Sequence, residues 1–244
     1  MRLLDITLDL ETCSLSSHAA IMQIAAVAWD RLSKNESQMF FNEAAMLPED
    51  TCHFANTIDL NSQFVEGLWD FDQNTSGWWG KQSREAKHAV ADDITVSNHP
   101  ALTELKSQEL LNDALENLDI WIRGQLKEHD AENFCIWCQG TDFDIPILRY
   151  AAERTKCNKL LPMALHHKYF RDCRTAIYEC TAKWLERDDV DHPYTKLDLL
   201  KDPTLAYKLL PQLPESFGRN AHDALYDCVR SSWFTWQALR LFLL

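Results

Sequence analysis

The sequence predicts a mixed α/β fold: one five-stranded sheet flanked by helices. Three observations carry that reading. Leu4, Ile6, Leu8 and Leu10 alternate with Asp5, Thr7, Asp9 and Glu11, the period-two pattern of a strand. Ala20 to Trp29 is short, almost continuously apolar and bounded by turn signals, as a central strand is. Further along, helix-spaced stretches alternate with short apolar runs, so helices should cover the faces of the sheet.

Taken in order, the first strand ends at Glu11 and a polar turn, Cys13–His18, leads into the second. Ser37–Phe41 reads as a third strand, and the short links make the three an antiparallel meander. Residues 42–102 are the least regular, rich in Asn, Asp, Ser and His and containing the pair Trp78-Trp79. Short helices are expected around Ser76–Lys81 and Arg84–Ala91. Within Leu102–Glu128, Leu105, Leu111, Leu115, Leu118, Ile122 and Leu126 recur at helical spacing, so one face of that helix is buried. Phe134–Trp137 is the fourth strand and Phe143–Arg154 a helix. Lys168–Cys173 is the fifth strand, followed by a helix over Thr175–Glu186. Arg187–Arg219, with prolines at 193, 203, 211 and 214, reads mostly as loop. A last helix runs from about Asp223 to Leu241. No linker divides the chain, so one domain over residues 1–244 is expected, with an irregular insertion at about 42–102.

Hydrophobic residues make up 46% of the 244, enough for a buried core. The net charge of -13 argues against a tight, non-specific nucleic-acid binder, which needs a basic footprint. It leaves room for an enzyme that handles nucleic acid through cations bound at an acidic site. No apolar window is long enough to span a membrane, and Met1-Arg2-Leu3-Leu4-Asp5 lacks a signal-peptide layout. Eight cysteines without framework spacing read as reduced thiols in a cytoplasm. Cys135 and Cys138 have the spacing of redox and zinc pairs, but on a strand they face opposite ways and no second pair exists, so both read as buried thiols. His166-His167 lacks a partner pattern. Asp188-Asp189-Val190-Asp191 lacks the Gly and terminal Glu of a calcium loop and reads as a solvated acidic loop.

Three places remain where carboxylates are set out for chemistry. Asp9 and Glu11 project from one strand face, about 6–7 Å apart. Two bare carboxylates repel, and a hard cation such as Mg²⁺ or Mn²⁺ relieves that repulsion; a polar face open to water is the plainer alternative. In Trp137–Leu148 a strand ends, the chain turns at Gly140 and a helix starts near Asp144. Asp142 or Asp144 is then either a helix cap or a further ligand. His222 and Asp227 are five apart, about 140° on a continuous helix. They converge only if His222 precedes the helix and Asp227 lies in its second turn. Asp223 is the competing carboxylate and looks like a helix-start residue.

In this order, Asp-x-Glu on the first strand, Phe143-Asp144 at a strand-to-helix turn and His222 with Asp227 near the C-terminus, the sequence resembles the 3′–5′ exonuclease superfamily, in its branch with four acidic residues and a histidine. Further blocks resemble the subfamily of tailed-phage exonuclease A and the mycobacterial-type 3′–5′ exoribonuclease. They are Leu8–Thr12, Ala19–Trp29, Trp78–Ala86, Trp137–Gly140 and Arg171–Thr175, so the resemblance covers essentially the whole chain. Many superfamily members have Thr-Gly where this chain has Thr12-Cys13, at the contact to the 3′ end.

The resemblance implies a ribonuclease H-like fold and a hydrolase that releases 5′-mononucleotides from 3′ ends. Asp9, Glu11, Asp144 and Asp227 would hold two divalent cations, Mg²⁺ or Mn²⁺, about 3.5–4 Å apart. His222 would act as general base. Trp78 and Trp79 are either base-stacking groups or core anchors. Arg174 either touches phosphate or pairs with Asp172. The partner would be the 3′ end of single-stranded RNA or DNA, without a membrane; a homodimer is compatible with the chain. Two other classes stay open: a catalytically silent nucleic-acid-binding module on the same fold, and a phosphodiesterase for short oligonucleotides.

Overall fold

A five-stranded sheet in the order β3-β2-β1-β4-β5 organises the chain. The computed structural model describes residues 2–41, 52–64, 67–83, 86, 109–157, 165–187, 192–215 and 222–243. β1 (Arg2–Thr12) is central, antiparallel to β2 (Ile21–Trp29) and parallel to β4 (Ala131–Cys138). β3 (His53–Thr57) extends the antiparallel side and β5 (Phe170–Asp172) the parallel side. β2 is buried along its whole length, which explains its nearly continuous apolar run.

Leu4, Ile6, Leu8 and Leu10 of β1 pack into one core with α3 (Leu111–Glu128) and α4 (Asp144–Thr155). The alternate face of β1 is not open to water. Asp5 and Thr7 are fully buried, beneath the layer formed by α5 (Cys173–Trp184) and α8 (Ala224–Leu243). Their polar atoms are satisfied from within. Arg31 Nε donates to Asp5 Oδ2 at 2.7 Å, Arg31 Nη2 donates to Asp5 Oδ1, and Trp137 Nε1 donates to the same oxygen at 2.7 Å. Ser232 Oγ of α8 donates to Thr7 Oγ1 at 2.8 Å, which fastens the last helix to the first strand.

Two sequence expectations are corrected. Ser37–Phe41 is not a strand. The Asn35 side chain accepts from Gln38 N–H at 3.0 Å and caps a single helical turn, α1 (Glu36–Met39), after which the chain turns at Phe41 with φ 64°. The third strand, β3, lies instead within the stretch read as irregular. The described part of Arg187–Arg219 is mostly loop, as expected, but it carries two short helices, α6 (Lys196–Lys201), started by a capping box between Thr195 and Asp198, and α7 (Leu205–Leu209). Helices also begin earlier than expected, because aspartates cap them. Asp72 accepts from Thr75 N–H at 2.8 Å to start α2 (Gln73–Trp79), and Asp172 accepts from Thr175 N–H at 2.7 Å to start α5. The helix expected over Arg84–Ala91, Ala86 aside, the first turns of the helix expected from Leu102, and the acidic loop at 188–191 lie outside the described residues. Cys135 and Cys138 are both buried and face opposite cores.

Candidate active site

β1 supplies the first two carboxylates. Asp9 stands opposite Ala25 and Glu11 opposite Gln23, and the ladder with β2 slips between Glu11 and Thr12. Such irregularities re-aim side chains at strand ends. Asp5 lies on the same face and is neutralised by Arg31. Asp9 and Glu11 form no salt bridge among the described residues.

The third carboxylate comes from α4. β4 ends at Cys138 and the chain turns at Gly140, whose φ of +117° favours glycine. A Cβ there would also sit 3.4 Å from Asp142 Oδ1 and 3.6 Å from Arg174 Nη1. Asp144 then opens the helix. Its buried carboxylate does not cap α4; it accepts from Leu10 N–H at 3.2 Å, reaching across to β1. Asp142, the other candidate, is exposed.

The fourth carboxylate and the imidazole come from the start of α8. His222 precedes the helix in the left-handed region, with φ 66°. Asp227 lies in its first turn and accepts from His222 N–H at 3.2 Å. Asp223 is spent at the helix start: its Oδ1 accepts from Leu225 N–H at 3.1 Å and from Gln23 Nε2 at 3.3 Å. Gln23 Oε1 in turn accepts from Ala224 N–H at 2.9 Å. Gln23 is therefore the clamp that fixes the entry of α8 beside Glu11. Its one signal in the sequence is that it is the only polar residue in the apolar run Ile21–Ala28, a signal too weak to single it out.

Glu11, His222 and Asp227 each present a ligand atom within 4.8 Å of the other two. Burial, then repulsion from Asp144, Glu11 and Asp227, holds the Asp9 carboxyl well above the carboxylate range. Burial and the neighbouring acids push Glu11 up to about 8. Burial raises Asp144 to about 7 against the pull of the Leu10 N–H, and raises Asp227 against the pull of the His222 N–H. This is an oxygen-rich donor set under mutual repulsion, which suits a hard divalent cation.

Two cavities flank the acids. One, of about 550 Å³, is lined by Glu11, Thr12, Leu15, Trp78, Trp79 and Phe143, among others. Trp79 Nε1 donates to the Thr12 carbonyl at 3.0 Å, whereas Trp78 is 42% exposed. The Trp78 ring meets the His222 ring edge-on, with centroids 4.7 Å apart. Thr12 is buried, its hydroxyl donating to the Ser14 carbonyl at 2.7 Å. Cys13 is not drawn into this cavity. Its side chain is buried with Ala20 and Met22 against Trp79, and burial pushes its thiol up to about 12. Arg174 lies in the wall of the second cavity, exposed and near enough to Asp9 and Asp144 to lower both.

A five-stranded mixed sheet, with carboxylates gathered where β1, α4 and α8 meet, has the fold of solved exonucleases, and the family match defines the class: the chain is a 3′–5′ exonuclease. More particularly, residues 5–235 match the model of the 3′–5′ exoribonuclease Rv2179c-like domain, and the chain belongs to that family. The exodeoxyribonuclease of enterobacteria phage T4 is 27% identical over 240 residues, 97% of this chain and 89% of that protein. Cell-death related nuclease 4 shares the fold with a TM-score of 0.54 at 16% identity, over 98% of this chain and 64% of its own. The nuclease domain of 3′hExo, a DEDDh family member bound to rAMP, gives 0.51 at 13% identity over 97% of this chain and 92% of its own. Exonuclease I gives 0.53 at 16% identity over 99% of this chain. The chain spans only 42% of exonuclease I.

Proposed function

We propose that this exonuclease hydrolyses single-stranded RNA or DNA from the 3′ end to 5′-mononucleotides, using two divalent cations, Mg²⁺ or Mn²⁺, held by Asp9, Glu11, Asp144 and Asp227. The observation that supports this most is that Glu11, His222 and Asp227 offer ligand atoms within 4.8 Å of one another, with Asp9 and Asp144 near enough to repel Glu11 or be repelled by it, and that among the described residues neither Asp9 nor Glu11 is in a salt bridge. When bound, such cations neutralise the phosphodiester and lower the pKa of water. The chain's own residues do the rest. His222 takes the proton of the attacking water. The water oxygen bonds to the phosphorus of the last phosphodiester, and the bond to the 3′-oxygen of the penultimate nucleotide breaks. That oxygen is protonated from solvent, leaving a new 3′-hydroxyl. Trp78 stacks on the terminal base while Trp79, tied to Thr12, supports the pocket wall. Thr12 lines the same pocket.

The family is described by an exoribonuclease and the phage relative is an exodeoxyribonuclease, so both polymers are substrates to test. Recognition of RNA would rest on the 2′-hydroxyl. Matched 5′-labelled RNA and DNA single strands, incubated with Mg²⁺ or Mn²⁺, should shorten to a ladder that a chelator stops. Cleavage restricted to dinucleotides would favour a phosphodiesterase for short oligonucleotides, and no cleavage with either metal would end the reading.

A further inference from the structure

The second cavity, of about 780 Å³, shares no lining residue with the Trp78 pocket. Arg174, Lys208 and Arg230 stand in its wall with one carboxylate, Glu179. Its lining is thus net positive in a chain of net charge -13. Lys208 shares its charge with Asp202 at 3.5 Å, but Arg174 and Arg230 form no salt bridge among the described residues. The Arg230 guanidinium lies over the rings of Tyr207, at 5.6 Å, and Phe234, at 5.5 Å. That stacking fixes it while leaving its N–H fork for an anion. The Tyr178 hydroxyl, also in the wall, is buried with no hydrogen-bond partner among the described residues. The cleft lies beside the acids: Arg230 is one turn along α8 from Asp227, and Arg174 Nη1 stands 3.6 Å from where a Cβ of Gly140 would sit, in the turn that leads to Asp144.

Cations that track a backbone, combined with aromatic faces, make a groove for single-stranded nucleic acid. We propose that this cleft receives the nucleotides immediately upstream of the scissile phosphate, with Arg174, Arg230 and Lys208 pairing their phosphates. The Trp78 pocket would then hold the terminal nucleoside, and the acid cluster between the two would meet the bond to be cut. The inference rests on the exonuclease reading above.

The test uses two substrates on the full chain. One is a single-stranded decanucleotide. The other is the p-nitrophenyl ester of a nucleoside 5′-monophosphate, which has a terminal nucleotide and no upstream chain. Lys208→Glu and Arg230→Gln are compared singly and together. Each lost phosphate contact on a single strand lowers affinity by about five-fold at about 0.1 M salt, from a slope of about 0.7 per contact. The ratio of kcat/KM for the decanucleotide to that for the ester should therefore fall about 25-fold in the double variant, with a flatter salt dependence. Equal losses on both substrates, or an unchanged ratio and salt slope, would overturn the proposal. A wild-type protein that cleaves neither substrate would instead sink the exonuclease reading and this inference with it. The Lys208 side chain is 65% exposed, so Lys208→Glu carries the test alone if Arg230→Gln does not fold.

Discussion

Asp5, Asp9 and Glu11 share one face of β1 but differ in what neutralises them. Asp5 is matched by Arg31 and the Trp137 indole, so it is a structural charge. Asp9 and Glu11 are held above the carboxylate range by burial and then by the neighbouring acids, Asp144 and Asp227 among them, a cost that function explains better than folding does. His222 sits 4.7 Å from the Trp78 ring and shares a ligand cluster with Glu11 and Asp227, so its role as proton acceptor needs separating from a role as ligand. His222→Ala should lower kcat by about 10²–10⁴-fold while Mn²⁺ affinity, measured by calorimetry, holds. Wild-type turnover in the variant would refute the assignment, and a parallel loss of Mn²⁺ affinity would make His222 a ligand. The tryptophans should also part company. Trp78→Ala should raise KM about 5- to 150-fold, from a stacking loss of about 1–3 kcal/mol, without lowering Tm. Trp79→Ala removes the bond to the Thr12 carbonyl and the cover over Cys13, so it should lower Tm as well. If Trp79→Ala alone raises KM, the stacking residue is the other one of the pair.

At the level of elements, the site depends on where α8 begins. Gln23 sets that start through Ala224 N–H and the Asp223 carboxylate, and Ser232 holds the middle of the helix to Thr7. Gln23→Leu keeps the volume but leaves a buried N–H unpaired, which costs about 1–3 kcal/mol and about 2–4 °C of Tm per kcal/mol in a chain of this size. Turnover should fall with it, because Asp227 and His222 move relative to Glu11; a variant with lowered Tm and full kcat would show that the clamp serves stability only. This clamp also marks the limit of what the sequence made legible. Asp9 and Glu11 were readable as neighbours because period-two alternation fixes where a strand residue points, whereas the choice of Asp144, His222 and Asp227 came from the family resemblance, since the turn and the five-residue spacing by themselves left alternatives open. β1, β2, β4 and the helices after them were readable from the spacing of their apolar residues. Gln23 was not, since its partners lie 200 and 201 residues away. Ser37–Phe41 was misread because its apolar residues, Met39, Phe40 and the partly buried Phe41, follow a single capped turn, too short to display a helical period. The short helices α6 and α7 were missed because prolines and aspartates that signal loops also start helices. Cys13, placed at the 3′-end contact, turned out to face the core beneath Trp79.

For the molecule as a whole, the acid cluster ties stability, pH and cation together. In an unfolded chain Glu11 ionises near 4.5, and in the fold near 8; Asp144 is raised to about 7, and Asp9 and Asp227 shift the same way. For a carboxyl raised by folding, the folded state binds the proton more tightly than the unfolded one. Its contribution to stability is fully present below the unfolded value and is lost as pH rises through the folded value. The surface carboxylates that shift downward, Asp70, Asp72, Asp198, Asp202 and Glu186, have the opposite sign but act in acid, outside this window. The chelated protein should therefore lose Tm between about pH 7 and about pH 8.5. A divalent cation binds the ionised form and stabilises the fold by mass action, about 2.7 kcal/mol at a hundred times Kd. Its effect on Tm should be larger at the higher pH, where no proton has to be displaced. Asp9→Asn removes a charge from the cluster, so it should raise the Tm of the chelated protein at pH 8.5, shrink the Mn²⁺ shift and abolish turnover. Thermal melts at the two pH values, with chelator and with Mn²⁺, decide the matter. A chelated protein that gains stability over this range, or an Mn²⁺ shift that ignores pH, would mean that the carboxylates do not titrate as a cation site.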